Sequence, residues 1–412
     1  MTPVSAESRN WPSEGLARVP YWIYRDEAIY RSEQERIFRG ATWNFLGLEA
    51  ELPRPGDFKT TFVGELPVVV TRDEKGELRA FENRCAHRGA LLCIGDRGNA
   101  REFTCVYHNW TYDLQGNLTG VAFRRGVQGR GGLPPGAKPE SGAPRKLRLA
   151  TYCGLVFGTL SDATPPLESY LGEEIAARIR RVMKRPVRLL GGYTQVLPNN
   201  WKLYLENVKD TYHASLLHSF FATFRLNRLS QQGGVIVGGD GGNHVSFTMM
   251  RTDAGEDDYE RAKMRSARDG YRLEAPELLD SVDEIGDGIS LQILVVFPGF
   301  VLQQIMNCLA VRQVLTKGVT GTELVWTSFG YTDDDETMAA RRMRQANLIG
   351  PAGYISLEDG AATTFVQRGV QGAADRAAFV EMGGHGVASD ESRVSETSVR
   401  GFWQAYRRHM QI

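Results

Sequence analysis

The sequence predicts an α+β protein in which an N-terminal β-sandwich domain precedes a C-terminal domain with a curved antiparallel sheet covered by helices. Short apolar runs before residue 160 alternate with Gly, Pro, Asp and Asn, as in strands joined by turns. The remainder mixes strand-like runs with runs of helical periodicity. Because 412 residues exceed one ordinary core, we expect an N-terminal helical segment (1–40) that packs on the C-terminal domain (161–412), with the sandwich (41–160) between them.

The elements of the first 160 residues follow from local spacing. Residues 25–39 place Ile29 and Ile37, each with an aromatic neighbour, at helical intervals among charged residues, which predicts an amphipathic helix. A Gly- and Pro-rich segment, 126–145, is expected to form a long loop inside the sandwich. Strands are predicted at 58–63, 66–72, 78–82, 103–106, 147–150 and 155–159.

The C-terminal domain combines both kinds of element. A highly charged stretch, 253–287, interrupts the pattern and is expected to form a mobile excursion or a lid. Antiparallel strands are predicted at 188–197, 291–296, 301–315 and 322–331. Helices are predicted at 201–220, which Asn199 and Asn200 can cap, and at 335–348, 358–366 and 396–408.

Composition removes several classes of function. Lys plus Arg and Asp plus Glu both total 49, so the chain lacks the net positive charge expected of a nucleic-acid-binding protein. No apolar run approaches the ~20 residues of a membrane span, and the polar N-terminus does not resemble a secretory signal. The five cysteines are too few and too scattered for a disulfide framework. We therefore expect a cytoplasmic protein with free thiols.

Two short motifs carry the first candidate metal site. Cys85-Ala-His87 is followed after 17 residues by Cys105-Val-Tyr-His108, and both motifs lie at turns between predicted strands. Each loop contributes one sulfur and one nitrogen ligand, which suits a Rieske 2Fe-2S cluster whose two irons are ligated differently. A structural zinc site is the alternative, but zinc sites usually pair like ligands within each loop. The sequence therefore favours electron transfer.

A second candidate metal site lies on the helix predicted at 201–220. His213 and His218 are five residues apart, which separates them by about 140° on a regular helix, so they converge only if the helix bulges or ends between them. Two histidines and one carboxylate form the ligand set of non-haem Fe(II) oxygenases. The adjacent Glu358 and Asp359 are both candidates for that carboxylate, and the residues alone do not separate them. Two unrelated helix histidines are the simpler alternative, which the neighbouring Rieske motif disfavours.

The order of these motifs resembles the large (α) subunits of Rieske non-haem iron aromatic-ring-hydroxylating oxygenases along essentially the whole chain. The resemblance rests on the two cluster motifs, on E-N-x2-D-x-Y-H-x4-H at 206–218, and on G-P-A-G at 350–353 with the acidic pair after it. It implies His213, His218 and Asp359 as the ligands of a mononuclear Fe(II). It also implies that Asp210 bridges to His108 of a neighbouring subunit, so that electrons cross between protomers.

Within this family, segments 81–91, 197–204, 297–304 and 396–403 resemble members that act on aromatic carboxylates. This implies O2-dependent cis-dihydroxylation of an aromatic dicarboxylate, terephthalate. The resemblance further implies a small β subunit in an α3β3 assembly and a separate flavin and iron–sulfur reductase that uses NAD(P)H. The alternatives are a salicylate- or benzoate-type monocarboxylate hydroxylase and, in another class, a Rieske electron carrier.

Two arginines are candidates for holding the substrate carboxylates. The strand predicted at 301–315 places Met306, Cys308 and Ala310 on the same face as Arg312, and these uncharged side chains leave room for a ligand. A guanidinium matches a carboxylate bidentately, and without such a partner it would be a buried, unpaired charge. Arg393 is the second candidate. Either arginine could instead pair with a protein carboxylate or reach solvent.

Overall fold

The computed structural model describes residues 10–250, 258–265 and 270–412. The chain divides into two compact units, of which one comprises Phe38–Leu167 and the other combines the segment up to Ile37 with Glu168–Ile412. The α+β fold class is confirmed. Every helix in the described ranges is too short or too polar to span a bilayer.

Strands and helices are numbered along the chain. The strands are β1 (Arg18–Pro20), β2 (Asn44–Leu48), β3 (Asp57–Val63), β4 (Leu66–Arg72), β5 (Leu78–Glu82), β6 (Arg97–Asn99), β7 (Phe103–Thr104), β8 (Thr111–Tyr112), β9 (Leu118–Gly120), β10 (Arg148–Tyr152), β11 (Leu155–Thr159), β12 (Val187–Leu197), β13 (Gly233–Val237), β14 (His244–Met249), β15 (Ile289–Val296), β16 (Phe300–Ile305), β17 (Cys308–Thr316), β18 (Thr322–Tyr331) and β19 (Ala377–Phe379). The helices are α1 (Glu27–Glu33), α2 (Leu167–Leu171), α3 (Glu173–Val182), α4 (Trp201–Lys209), α5 (Ala214–Leu217), α6 (Ser219–Thr223), α7 (Asp258–Arg261), α8 (Glu336–Ile349), α9 (Tyr354–Gly369) and α10 (Thr397–Met410).

The smaller unit is built from three antiparallel sheets, in the orders β5-β4-β3-β6, β10-β11-β2 and β7-β8-β9. Along β3 every second residue is buried, as period-two alternation requires for a sheet with one face on a core. The ring of Phe103 makes edge-to-face contacts with Phe58 and Phe81 in that core, which also contains both cysteines of the cluster motifs. Each of the six strands predicted here from the sequence is present: three have the predicted bounds, and the other three differ by one or two residues.

The larger unit contains a seven-stranded antiparallel sheet in the order β12-β18-β17-β16-β15-β14-β13. Every residue of β16 and β17 is buried, and helices α4 and α8 both contact β17. The single strand predicted at 301–315 is wrong, because the chain reverses at Met306 and Asn307 between β16 and β17. The Asn307 side-chain amide forms hydrogen bonds with both the N–H and the C=O of Val282, which tie the turn to the segment before β15. The sequence pattern did not predict this turn because apolar residues lie on both sides of it.

The helix predicted at 201–220 is also wrong as one element. The Asn200 side chain caps α4 as expected, but α4 ends at Lys209, and α5 and α6 follow after a turn. Helix α9 begins at Tyr354, so Glu358 and Asp359 lie in its second turn and do not open it.

The charged excursion predicted at 253–287 is partly outside the described residues, which omit 251–257 and 266–269. Its return segment is fixed by ion pairs. Asp287 pairs with Arg181 of α3 at 2.5 Å, and Glu284 pairs with the buried Arg342 of α8 at 2.7 Å. The predicted loop 126–145 contains no α-helix or named β-strand.

The N-terminal segment is attached to the larger unit through a buried carboxylate. Helix α1 continues as a π-helical turn over Gln34–Phe38, which together fill most of the predicted helix 25–39. Glu33, at the end of α1, pairs with Lys202 Nζ at 2.6 Å, and both side chains are fully buried. The Glu33 carboxylate also accepts hydrogen bonds from Trp201 Nε1 at 2.7 Å and Tyr406 Oη at 2.5 Å. The Glu33 carboxylate of α1 therefore contacts both α4 and α10.

We predict that Lys202→Met destabilises the larger unit by about 3–5 kcal/mol, because it leaves the Glu33 charge buried without a cation. The measurement is the denaturant midpoint of that unit. The exposed pair of Lys317 with Glu323, at 3.2 Å, provides the control, since Lys317→Met should cost less than about 1 kcal/mol. Equal effects of the two substitutions would contradict the prediction, and Glu33→Met in the Lys202→Met background should restore part of the loss.

Candidate metal centres and active-site pocket

The two cluster loops share one backbone conformation. In each loop the cysteine N–H donates to the carbonyl five residues ahead, at 2.8 Å for Cys85 and 2.9 Å for Cys105. Each cysteine carbonyl accepts from the residue four ahead, Gly89 or Asn109, and both of these residues have positive φ (74° and 53°). Glycine and asparagine are the residues that adopt this conformation at least cost. The repeated turn explains why both motifs carry such a residue at the same offset.

This conformation brings the predicted ligands together. Cys85 and Cys105 are buried, and the Nδ1 atoms of His87 and His108 face each other at 3.1 Å. The ring of Trp110 stacks on His87 with centroids 4.8 Å apart, which fixes the imidazole plane. Two buried thiols and two converging imidazoles fit a 2Fe-2S cluster ligated by sulfur on one iron and nitrogen on the other.

Tyr112 is a contact of this site that the sequence motifs did not reveal. Its hydroxyl lies 3.3 Å from Cys85 Sγ and accepts a hydrogen bond from the Ala86 N–H at 2.9 Å. Burial raises the pKa of Tyr112 above its usual value, so the phenol stays protonated and can donate to the sulfur. Donors to ligand sulfur raise a cluster's reduction potential.

The second candidate centre lies where α4 ends. His213, His218 and Asp359 each present one ligand atom, and all three atoms lie within 4.8 Å of one another. Asp359 Oδ1 is 3.3 Å from His213 Nε2 and 3.2 Å from His218 Nε2. Two imidazole nitrogens and one carboxylate oxygen facing a common point form a donor set suited to Fe(II).

The break after α4 makes this convergence possible. The Asp210 carboxylate accepts from the N–H groups of Tyr212 at 2.7 Å and His213 at 3.3 Å, so it caps the turn that replaces the helix. His218 lies between α5 and α6 with ψ of 79°, outside helical geometry. The remaining Asp210 oxygen is 3.4 Å from His213 Nδ1, on the side of the ring away from Asp359.

The structure separates the two neighbouring carboxylates. Asp359 faces the Nε2 atoms of both histidines, whereas Glu358 Oε2 lies 2.8 Å from the opposite nitrogen, His218 Nδ1. Glu358 therefore fits the role of a carboxylate that orients a metal-bound imidazole. Burial by itself raises the pKa of Asp359, but the two histidines outweigh it and hold the pKa well below its usual range. Burial by itself lowers the pKa of His213, but Asp210 and Asp359 raise it to about 10.

Asn207 is a further residue that the sequence reading missed. Its Nδ2 lies 3.3 Å from both His213 Nε2 and Asp359 Oδ1, on the inner side of the cluster. Asn207 precedes Asp210 by about one helical turn within the same motif. This spacing could have identified Asn207 as a residue of the site.

A single pocket opens on this centre and also contains both predicted arginines. Most of its exposed wall surface is apolar, as in small-molecule sites, although eleven of its eighteen lining residues are polar or charged. The lining residues are Asn207, Val208, Asp210, Thr211, His213, Ala214, His218, Phe221, Asn227, Ser246, Thr248, Leu291, Ile293, Ile305, Arg312, Ile355, Asp359 and Arg393.

Arg312 is buried on β17, on the face that also carries Cys308 and Ala310. Its guanidinium donates to Tyr204 Oη at 2.8 Å and to Gln303 Oε1, and it lies over the Trp326 ring at 4.4 Å. Its Nε has no hydrogen-bond partner within the described residues. Met306, placed on this face by the sequence, lies instead at the end of β16, in the turn.

Arg393 is buried at another part of the same pocket. Its Nη1 donates to Asn227 Oδ1 at 2.5 Å, and its Nη2 donates to the Arg228 carbonyl. Its Nε also has no hydrogen-bond partner in the described part of the chain. Burial lowers the pKa of Arg393 to about 10, so the group remains charged at neutral pH. Among the described residues, no carboxylate forms an ion pair with Arg312 or Arg393.

Two family models together match most of the chain. The model of the Rieske 2Fe-2S domain matches residues 42–128, and that of the ring-hydroxylating alpha subunit catalytic domain matches residues 176–412. The chain is 57% identical to the terminal oxygenase component subunit alpha 2 of terephthalate 1,2-dioxygenase from Comamonas sp, over 97% of each chain. It is 46% identical to the anthranilate 1,2-dioxygenase large subunit from Burkholderia cepacia, over 98% of this chain and 96% of that one.

A solved structure supports the same architecture. Naphthalene 1,2-dioxygenase from Rhodococcus sp., bound to indole, superimposes with a TM-score of 0.78 at 25% identity, over 95% of this chain and 94% of that one. The likeness therefore extends across both units of the chain.

The geometry around Asp359 gives a physical basis for choosing between the two carboxylates, which the sequence separates only through the family resemblance. Asp359→Ala should lose about one iron of the roughly three expected per chain, because it removes the oxygen that faces both histidines. Glu358→Gln should retain that iron when the metal is in excess, with an affinity about 10–100-fold weaker, because it alters only the partner of His218 Nδ1. Iron analysis of the purified variants tests both statements, and equal iron loss at saturating metal would contradict the assignment.

Proposed function

The chain belongs to the ring-hydroxylating oxygenase alpha subunits that carry a Rieske domain, and on that premise we propose that it cis-dihydroxylates terephthalate. The family makes it an aromatic ring-hydroxylating dioxygenase with a Rieske 2Fe-2S cluster and a mononuclear iron. The proposed product is 1,2-dihydroxy-3,5-cyclohexadiene-1,4-dicarboxylate. The substrate assignment rests on one observation. Two buried arginines, which have no carboxylate partner among the described residues, line the pocket of the mononuclear centre.

The proposal assigns each metal its residues. Cys85, Cys105, His87 and His108 hold the cluster, supported by the paired turns and the facing Nδ1 atoms. The mononuclear iron is assigned to the three residues whose ligand atoms converge, His213, His218 and Asp359.

Charge complementarity supports a dicarboxylate. A buried guanidinium without an anion has lost its hydration and gained no ion pair, which is costly. Terephthalate brings two carboxylates fixed at opposite ends of a flat ring, one for Arg312 and one for Arg393, while the apolar walls contact the ring. A monocarboxylate would leave one of these cations buried and unpaired, and this disfavours the salicylate- or benzoate-type alternative. The 57% identity to a terephthalate dioxygenase subunit supports the same choice.

The chain's own residues provide binding, orientation and exclusion of water. When bound, the iron, supplied with electrons from the cluster, allows both atoms of O2 to add to one face of the ring. Arg312 and Arg393 fix which ring carbons face the centre, since a rigid substrate held at both ends has little freedom to rotate. Glu358 holds the His218 ring through Nδ1. The apolar lining keeps bulk water from the reacting face.

The same proposal includes partners. Asp210 is assigned as the contact for His108 of a neighbouring protomer, supported by the carboxylate oxygen that lies beside His213 Nδ1. A small β subunit in an α3β3 assembly and a flavin and iron–sulfur reductase complete the system. Because the reductase would draw on NAD(P)H, the proposed location is the cytoplasm. A plain Rieske electron carrier would have no use for the second centre or its pocket.

Turnover with a matched reductase tests the function. We expect substrate-dependent O2 uptake with terephthalate and a product that contains two oxygen atoms from 18O2. Benzoate or salicylate oxidised as efficiently as terephthalate would favour the monocarboxylate alternative. Absence of any aromatic-acid-dependent O2 uptake, with about two irons per chain, would favour the electron carrier.

We predict that Arg312→Ala and Arg393→Ala each weaken terephthalate binding by about 10–100-fold, because each removes a charge-assisted contact. The measurement is anaerobic titration of the oxidised oxygenase with terephthalate. Arg408→Ala is the control, since Arg408 forms an exposed pair with Asp240 outside the pocket. Unchanged affinity in both pocket variants would remove the proposed clamp.

Asp210→Asn should keep both metals and lose nearly all turnover. The amide retains an oxygen that can cap the turn at His213, but it offers a donor where the carboxylate offered an acceptor. The decisive measurement is the rate at which the reduced cluster is reoxidised in the presence of substrate and O2. Loss of the mononuclear iron in this variant would instead make Asp210 a metal ligand.

A further inference from the structure

Each pocket arginine has only part of its guanidinium available for a ligand. Arg393 Nη2 donates to the carbonyls of Arg228 and, at 3.5 Å, Gln231, which engages both of its N–H groups. Nη1 donates to Asn227 Oδ1, whereas Nε has no partner in the described chain. A carboxylate has two oxygens that both accept hydrogen bonds. If Nε serves one oxygen, Nη2 has no N–H group left for the other, which then needs a donor from elsewhere in the pocket.

Thr248 provides an unused donor. Its side chain is fully buried and lines the pocket, and its Oγ1 has no hydrogen-bond partner among the described residues. A buried hydroxyl without a partner costs free energy, so native proteins rarely retain one without a reason. Valine has the same shape and would suit a strand equally well. The hydroxyl is therefore the part of this residue that the fold does not explain.

The strand register places Thr248 at the Arg393 end of the pocket. Thr248 of β14 pairs directly with Gly233 of β13, and side chains of directly paired residues lie on the same face of a sheet. A Cβ built on Gly233 would lie 3.1 Å from Arg393 Nε, so the guanidinium occupies the space above that glycine. On its other side Thr248 pairs with Leu291, which also lines the pocket. The Thr248 hydroxyl and Arg393 Nε thus lie at the same part of the pocket wall.

We propose that Thr248 is a specificity-determining residue whose hydroxyl donates to one oxygen of the substrate carboxylate, while Arg393 Nε donates to the other. This inference rests on the proposed function, since it concerns one carboxylate of the same dicarboxylate. It divides recognition of that group between a charge and a neutral donor. The hydroxyl would also fix the orientation of the carboxylate, because a carboxylate group that rotates out of the plane of the two donors would lose one of the two hydrogen bonds.

Matched substitutions of Thr248 test the proposal. Thr248→Val removes the hydroxyl and keeps the shape, whereas Thr248→Ser keeps the hydroxyl. Anaerobic titration of the iron-loaded oxygenase with terephthalate should show affinity about tenfold or more weaker for Thr248→Val, and within about twofold of the parent for Thr248→Ser. Iron content and thermal midpoint should be unchanged in both variants.

A double-mutant cycle locates the contact. In the Arg393→Ala background the effect of Thr248→Val should shrink, because the carboxylate that both residues hold is no longer fixed. In the Arg312→Ala background the effect should persist.

Unchanged affinity in Thr248→Val, an equal loss in Thr248→Ser, or coupling to Arg312 in place of Arg393 would overturn the inference alone. A parent enzyme that fails to bind terephthalate would overturn the proposed function and this inference with it.

Discussion

The candidate mononuclear centre depends on one carboxylate oxygen, Asp359 Oδ1, which faces the Nε2 atoms of two histidines. The histidines can meet it only because α4 stops at Lys209 and the Asp210 side chain caps the turn that follows. The carboxylate itself comes from the second turn of a different helix, α9, after the chain has completed the sheet. A local break and a long-range packing contact are therefore both required, and neither alone would assemble the centre.

Charge then determines what the pocket can accept. The carboxylates of the mononuclear centre favour a cation there, while two buried guanidiniums elsewhere in the pocket favour anions. Between these charged groups the walls are apolar, which suits a flat ring. Each guanidinium is held by neutral acceptors, such as Gln303 and Asn227, that fix its orientation without neutralising it. A protein carboxylate in the place of those acceptors would have stabilised the empty pocket and removed its attraction for an acidic substrate.

Local spacing made the candidate metal ligands visible in the sequence, whereas contacts set by register and helix phase were less accessible. The cluster motifs and His213 with His218 are close in sequence, so their chemistry is visible in the chain. The choice of Asp359 over Glu358 depends on which face of α9 lies towards the two histidines. The residues alone do not determine that rotation of the helix. Arg312 was placed beside Cys308 and Ala310 despite the wrong strand, because all three lie on β17, beyond the missed turn. Thr248 was overlooked, although its strand, β14, carries a polar residue at every second position, and such a pattern in a buried strand indicates a functional face.

The metal centre and the Arg393 end of the pocket are also linked through one side chain of the charged excursion. The Tyr259 hydroxyl donates to Ser215 Oγ at 2.7 Å and accepts from the Leu229 N–H at 2.9 Å. Ser215 lies on α5, between the two histidines, and Leu229 follows Asn227 and Arg228, whose oxygens hold Arg393. Tyr259 therefore connects the helix between the two histidines to the segment that orients Arg393. It does so from outside the pocket, whose lining includes none of the described residues of the excursion.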